Sequence, residues 1–208
     1  MIRATLFEKT NKRVSDSTIK RLLKPAGWRW NRIKTTMKNK RDEVEFSVAQ
    51  SDLKELRKPH QEGEIELWYF DESGFNLQPG VPYAWQPVGQ TIEIPSKHSK
   101  RLNVLGFLTP DNQFESFGFE GLVDTDVVVA GFERLARRKA SKPRIVVIDN
   151  APIHTRPEFV VHLSDWEKKG IFVLDLPTDS SELNLIEILW RFIKYYWLPF
   201  SAYLSFQH

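Results

Sequence analysis

The sequence predicts an α/β protein: a mixed sheet with helices on both faces, preceded by a small basic helical segment. Two observations predict it. No segment before residue 60 alternates like a strand, whereas from residue 64 onward apolar runs bounded by Gly and Pro are typical of strands. These strands come first as a group and then alternate with helices, which is typical of a mixed sheet. We therefore expect a domain boundary near residue 60.

The composition favours a folded protein with a substantial core. Of the 208 residues, 41% are hydrophobic and 12% aromatic. There is no cysteine, which excludes disulfides and thiolate zinc sites and suits a reducing cytoplasm, where we expect the protein. No run of about 18 apolar residues and no signal peptide is present, so no membrane partner is expected.

Basic residues are concentrated near the N-terminus. Between Lys12 and Arg41 there are eleven Lys or Arg against one acid, Asp16, although the whole chain carries only +3. The rest of the chain is therefore net acidic. A basic arm beside an acidic body indicates a phosphate-binding segment attached to a metal-binding one, with a solvated basic face as the alternative.

Two helices are predicted before the boundary. Residues 15–24 form a short helix that Ser15 or Ser17 caps. A charged stretch predicts a longer helix over about 42–57, and residues 59–63 are typical of a linker.

Strands and helices alternate in the remainder. A strand is predicted over 64–71, and a hairpin joins 101–109 to 113–119. The elements that follow are a helix over 124–140, a strand over 144–149, a helix over 157–169, a strand over 171–176 and a last helix over 181–197.

Three acidic residues lie where a two-metal phosphoryl-transfer site would need them. Asp71 and Asp149 end two apolar strands, and Glu187 lies on the last helix. If the two strands are parallel and adjacent, both aspartates emerge at the carboxyl edge of the sheet, where α/β proteins bind ligands. Two carboxylates at such a short distance repel one another unless divalent cations lie between them. The alternative for both is an ordinary turn, since Asp-Glu-Ser-Gly and Asp149-Asn150 are common turn sequences.

Glu187 borders the predicted buried stripe of the last helix. A carboxylate partly withdrawn from water needs a cation or hydrogen bonds, so an ion pair with Arg191 or Lys194 is the alternative to a metal. Oxygen-only ligands favour Mg²⁺ or Mn²⁺ over zinc. The buried stripe is predicted to consist of Leu183, Ile186, Trp190, Ile193 and Trp197.

Three motifs stand in order along the chain. They are Phe70-Asp71-Glu72-Ser73-Gly74-Phe75, then Asp149-Asn150-Ala151-Pro152-Ile153-His154, then Leu176-Pro177 with Ser181-Glu182-Leu183-Asn184-Leu185-Ile186-Glu187, continued by Trp190 and Lys194. Over residues 64 to 198 the chain resembles the catalytic domain of DDE transposases of the mariner-like superfamily, in the branch carried by bacterial insertion sequences. The resemblance implies a ribonuclease-H-like fold over 64–208. It also implies that Asp71, Asp149 and Glu187 are the catalytic triad and hold two Mg²⁺, with Mn²⁺ as a substitute.

The chain departs from the pattern of that family at several places. Ser180-Ser181 replaces the usual Ser-Pro before Glu-Leu-Asn, and Leu185 replaces the Pro after Asn184. Family members normally continue with more helical sequence beyond the position of His208, and residues 1–60 resemble only part of a helix-turn-helix DNA-binding segment. We therefore expect a C-terminally truncated catalytic domain.

The resemblance implies a bacterial, nucleoid-associated transposase that binds double-stranded DNA, cleaves strands at the element ends and transfers them to target DNA. Pairing two DNA ends implies a homodimer. One alternative is a metal-dependent nuclease of the same fold, which cuts without rejoining. Another is a non-catalytic DNA-binding relic, and a domesticated structural protein is a third.

Other side chains are secondary candidates. His154, five residues after Asp149 in the second motif, either orients a carboxylate, contacts DNA phosphate or makes ordinary polar contacts; Asn150 in the same motif is a further secondary candidate. Trp85 either stacks on a displaced base or packs in the core. The side chains predicted to contact the DNA backbone are Lys20, Arg21, Arg29, Arg32, Lys34, Lys97, Lys100 and Arg101.

Overall fold

The computed structural model describes residues 2–29, 41–77, 88, 89, 91, 93, 101–139 and 141–203. Main-chain contacts divide the chain into two compact units, Met1–Thr36 and Met37–His208. The first unit contains helices α1 (Ile2–Thr10) and α2 (Asp16–Leu23). As predicted, Ser15 caps α2, because its hydroxyl accepts a hydrogen bond from the Thr18 N–H at 3.2 Å. No helix in the described part of the chain is long and apolar enough to cross a membrane.

Helix α3 (Glu43–Gln61) belongs to the second unit, so the units divide near residue 36 and not near residue 60 as the sequence led us to expect. The reason is Leu53, which is buried and packs against strand residues of the sheet. The helix begins after Asp42, whose carboxylate accepts from two main-chain N–H groups. It also continues through Pro59, which we had placed in a linker. A proline near the end of a helix removes only one intrahelical hydrogen bond.

A five-stranded mixed sheet forms the centre of the second unit. Its strands are β1 (Glu66–Phe75), β2 (Leu102–Leu108), β3 (Phe114–Glu120), β4 (Arg144–Ile148) and β5 (Ile171–Asp175). Their order across the sheet is β3-β2-β1-β4-β5. The pairs β1–β2 and β2–β3 are antiparallel, whereas β1, β4 and β5 run parallel. The hairpin was predicted from the sequence, and the parallel pairing of β1 with β4 is the arrangement on which the meeting of Asp71 and Asp149 at one edge was made conditional.

Strand β1 is longer than its apolar run indicated. It was expected to end at Asp71, but it continues to Phe75 because β2 pairs with it over this stretch, with Asp71 opposite Gly106 and Phe75 opposite Leu102. The sequence Asp-Glu-Ser-Gly is therefore part of a strand in this protein, and the turn explanation of Asp71 is wrong.

Helices cover both faces of the sheet. They are α4 (Thr125–Arg137), α5 (Pro157–Val160), α6 (Leu163–Lys168) and α7 (Ile186–Phe192). A 3₁₀ turn at Ser181–Leu183 precedes α7, and a π-helical turn at Ile193–Trp197 continues it. The sequence had predicted single helices over 157–169 and 181–197, and both are interrupted.

Two apolar clusters lie on the two faces because alternate residues of β1 point to opposite sides. Trp68 and Phe70 point to the face covered by α4, α5 and α6. Leu67 and Tyr69 point to the face covered by α3 and α7. The helical residues packed on the first face include Phe132, Phe159 and Trp166, and those on the second include Leu53, Ile186 and Trp190.

Candidate active site

Asp71 and Asp149 occupy equivalent positions on neighbouring parallel strands. The last pair between β1 and β4 joins Tyr69 to Val147, and each aspartate lies two residues farther along its own strand direction. At this level β4 has ended, while β1 continues beside β2. The two carboxylates therefore stand at the point where the parallel strands separate, which is where open α/β sheets bind ligands.

Glu187 joins them from the first turn of α7. It is half-buried on the edge of the face that packs on the sheet, between buried Ile186 and exposed Ile188. Among the ion pairs of the described residues, none joins Glu187 to Arg191 or Lys194. The structure therefore favours neither of the ion pairs that were the alternative to a metal.

The charges of the three carboxylates influence one another. Burial, followed by the negative charges of Glu187, Glu72 and Asp149, raises the pKa of Asp71 to about 8. Burial also raises the pKa of Glu187, and the charge of Asp149 adds to this effect against the opposing charges of Lys194 and Arg191. Asp71 and Glu187 are thus close enough to Asp149 for its charge to disfavour their ionisation.

His154 holds one member of this group. Its ring is buried, with Nδ1 3.0 Å from both the main-chain oxygen and the Oδ1 of Asp149. Its Nε2 lies 3.0 Å from the Oε1 of Glu72. Burial alone would lower the pKa of His154, but its hydrogen bonds to Asp149 and Glu72 raise that pKa to about 10. The ring thus lies between the carboxylates of Asp149 and Glu72.

The same contact acts on Asp149. Burial opposes ionisation of its carboxyl group, but the hydrogen bond and charge of His154 outweigh burial and lower the pKa of Asp149. Of the roles considered for His154, the geometry fits the orientation of a carboxylate.

Two residues near the site were not singled out from the sequence. Glu72 was interpreted as part of a turn, and only its place in a strand brings it to His154. Asn184 donates a hydrogen bond from Nδ2 to the main-chain oxygen of Phe70 at 2.8 Å, next to Asp71. The sequence did contain a signal for Asn184, because it lies three residues before Glu187 in the third motif. In that motif we considered only the carboxylate of Glu187 as a site residue.

The donor set suits a hard divalent cation such as Mg²⁺ or Mn²⁺, because it consists of carboxylate oxygens whose charges are mutually repulsive. In the described part of the chain, no three His, Asp or Glu side chains already surround a common point at ligand distance. The Oδ1 of Asp149 contacts Nδ1 of His154 instead. The residues fit the metal in chemistry and location, and Asp149 would have to turn toward it.

The remaining candidates are distributed over both units. Lys20, Arg21 and Arg29 are exposed in the first unit, and Arg101 is exposed immediately before β2. Asn150 is exposed, and its Nδ2 donates a hydrogen bond to the hydroxyl of Thr178 at 3.0 Å and not to a residue of the candidate triad. Lying outside the described residues are Arg32, Lys34, Lys97, Lys100 and Trp85.

Comparison with known proteins identifies the family and the fold. The family model for the DDE superfamily endonuclease domain matches residues 66–207. A Mos1 mariner paired-end complex with Mn is similar in structure, with 16% identity, a TM-score of 0.57, and coverage of 91% of this chain and 59% of that chain. The Mos1 strand-transfer complex has 13% identity and a TM-score of 0.55, over 96% of this chain and 66% of that one. No curated protein is similar enough to count as a match.

These likenesses confirm the predicted fold class, a ribonuclease-H-like mixed sheet with helices. At such low identity they carry no residue roles. The chain spans about three fifths of the length of the first of these relatives.

Proposed function

The chain belongs to the DDE superfamily endonucleases, and from this premise we propose that it is a transposase of a bacterial insertion sequence. It cleaves DNA strands at the element ends and transfers them to target DNA. Asp71, Asp149 and Glu187 hold two Mg²⁺, for which Mn²⁺ substitutes. The observation that carries the proposal is the convergence of these three carboxylates where β1 and β4 separate.

Each residue has a defined task. The three carboxylates hold the metals, which when bound stabilise charge on a phosphodiester and lower the pKa of water. His154 holds Asp149 through its Nδ1 in the absence of metal, and the carboxylate turns from that contact toward the metals when they bind. Arg101, exposed at the start of β2, contacts a DNA phosphate, and the exposed basic residues of the first unit bind the DNA backbone.

The similar solved structures support the wider proposal. They include Mos1 paired-end complexes, one of them with the left transposon end, and a Mos1 strand-transfer complex. By analogy we propose that this protein pairs two double-stranded DNA ends as a homodimer and works on the nucleoid in the bacterial cytoplasm. Because the chain spans only part of these relatives, the whole reaction is assigned to it by proposal.

The test replaces single carboxylates. Asp71→Ala and Glu187→Ala are expected to lower Mg²⁺-dependent nicking of element-end DNA by at least about 100-fold, because each removes a metal ligand. DNA binding, measured by gel shift without metal, should be unchanged. Glu158→Ala, which removes an exposed carboxylate on α5, is the control and should cleave like the unaltered protein. Full cleavage by either site variant would refute the triad.

The same assay separates the alternatives. A pre-cut end with a free 3′-hydroxyl should be joined to target DNA. Cleavage without joining would identify a nuclease of the same fold. Salt-sensitive DNA binding with neither activity would identify a non-catalytic relic.

A further inference from the structure

Asn184 joins two of the three carboxylate-bearing segments, those of Asp71 and Glu187. It is 2% exposed and belongs to the segment between the 3₁₀ turn and α7. Its Nδ2 donates to the main-chain oxygen of Phe70, the residue before Asp71. Its own main-chain oxygen accepts from the N–H of Glu187 at 3.2 Å. One residue thus connects the neighbour of Asp71 directly to Glu187.

The hydrogen bond to Phe70 replaces a rung of the sheet. The N–H of Glu66 donates to the oxygen of Pro143 at 2.8 Å, so Glu66 and every second residue after it direct their main-chain groups toward β4. Phe70 is one of these residues. If the same register continued, its oxygen would accept from the N–H of Asp149, but the pairing ends at Tyr69 and Val147.

Asn184 therefore stands between the separating ends of β1 and β4. A main-chain oxygen buried without a partner is costly, so a donor has to be supplied wherever a strand pair ends inside the protein. Here the donor comes from the segment that starts the helix of Glu187. Because Asn184 supplies the donor, β1 and β4 can separate without leaving the Phe70 oxygen unpaired. The same hydrogen bond fixes the start of α7 to β1.

We propose that Asn184 is a positioning residue, whose side chain takes the place of the missing rung and so sets the distance between Asp71 and Glu187 for metal binding. This inference rests on the proposed function. It assigns to Asn184 no contact with DNA or with the reacting atoms. Its role is to hold these two oxygen ligands in one arrangement.

The chain contains a matched control. Asn103 on β2 is likewise buried, at 4% exposure, and its Nδ2 donates to the main-chain oxygen of Gly121 at 2.6 Å. Among the described residues, the Oδ1 atoms of Asn103 and Asn184 both lack a hydrogen-bond partner. The two side chains thus make the same kind of contact, but the bond of Asn103 joins β2 to the turn after β3 and involves no carboxylate-bearing segment.

The experiment compares Asn184→Ala with Asn103→Ala in the full chain. Mn²⁺ binding is measured by electron paramagnetic resonance of the free ion, thermal unfolding by circular dichroism, and nicking at several Mn²⁺ concentrations. Asn184→Ala should lose thermal stability because it leaves the oxygen of buried Phe70 without its donor, and Asn103→Ala should lose less because Gly121 is exposed and water can replace the amide. Only Asn184→Ala should bind Mn²⁺ at least tenfold more weakly and need correspondingly more Mn²⁺ for nicking. Should it not fold, Asn184→Leu, which has a similar volume but no donor, takes its place.

Three outcomes overturn the inference. Unchanged Mn²⁺ affinity in the Asn184 variant would show that the contact does not position the ligands. An equal loss of affinity in Asn103→Ala would show that the effect follows stability alone. If the unaltered protein binds Mn²⁺ no better than Asp149→Ala, the proposed metal site itself fails and the inference falls with it.

Discussion

Glu72 and Asp71 are neighbours in the chain but act on different sides of β1. Side chains alternate along a strand, so Glu72 shares the face of Phe70, where His154 packs against that ring. Asp71 points to the opposite face, toward α7. From the sequence, the run Asp-Glu-Ser-Gly predicted a turn, and a turn would not have directed Glu72 to the histidine. The partner of His154 could not be identified until the length of β1 was known.

At this scale we predict that Glu72→Gln lowers the pKa of Asp71 below its value of about 8. The charge of Glu72 is one of the factors that raise the pKa of Asp71, after burial and the charge of Glu187. The glutamine oxygen can still accept from His154, so the ring should stay in place. The measurement is a carbon-13 NMR titration of the Asp71 carboxyl group without metal.

Glu158→Gln provides the comparison for that titration, because it removes an exposed carboxylate on α5. It should leave the Asp71 titration unchanged. An identical midpoint in Glu72→Gln and the unaltered protein would show that Glu72 does not act on Asp71.

Among the elements, the last helix shows most clearly where prediction from sequence ended. Spacings of three and four placed Ile186, Trp190 and Trp197 on one buried stripe. The first two are buried, but Trp197 is 62% exposed. The cause is the π-helical turn, in which the N–H of Leu198 donates to the oxygen of Ile193, five residues back. A wider turn rotates all later side chains, and no residue pattern announced it.

Contact between α7 and the sheet depends on Gly106, which pairs with Asp71 across β1 and β2. A Cβ at this position would lie 2.6 Å from Cζ2 of Trp190 and 2.8 Å from Cδ1 of Ile186. We predict that Gly106→Ala lowers the free energy of unfolding by about 1–3 kcal/mol through overpacking. By displacing α7, and Glu187 with it, it should also lower metal-dependent nicking. Chemical denaturation and the nicking assay measure the two effects.

Gly118→Ala is the matched control, because it makes the same change in the neighbouring strand β3. A Cβ there would meet nothing closer than Cδ1 of Leu102 at 3.8 Å, an ordinary contact. Stability should stay the same or rise by about 0.5–1 kcal/mol, since alanine restricts the unfolded chain. Equal behaviour of the two variants would mean that α7 does not need the glycine.

For the molecule as a whole, composition and pattern predicted a mixed sheet with helices, and they placed Asp71 and Asp149 at one edge on the condition that their strands are parallel neighbours. The reason is that adjacent parallel strands with long apolar runs end at the same edge of the sheet, where the residues that follow them are exposed to a ligand. Composition and pattern misplaced the unit boundary, because α3 has a highly charged sequence and only Leu53 and a few other apolar residues attach it to the sheet. When only one narrow side of a helix is buried, its few apolar residues are difficult to recognise in a sequence rich in charged residues.

The concentration of positive charge in the first unit leads to a prediction about DNA binding. Lys20 and Arg21 are exposed on α2. In the double variant Lys20→Ala, Arg21→Ala, the logarithm of the binding constant should fall less steeply with the logarithm of salt concentration. The slope should decrease by about 0.9 for each DNA phosphate that the variant no longer neutralises. Fluorescence anisotropy at several salt concentrations measures it.

The paired control is Lys54→Ala, Lys58→Ala, which removes the same charge from exposed positions on α3. Its salt slope should match that of the unaltered protein. If the slope decreases equally in both double variants, total charge and not the position of α2 governs binding.

Asp71 and Asp149 lie at the same level of two neighbouring parallel strands, and this placement determines where the chain can tolerate inserted residues. Adjacent strands are about 4.8 Å apart whatever the length of the connection between them. Extra residues in a connecting loop therefore leave the aspartates where they are. A single residue inserted within β4 would instead turn every later side chain of that strand, and Asp149 after it, to the opposite face of the sheet. Length variation in this protein should therefore be confined to its connections, and β1 and β4 should admit none.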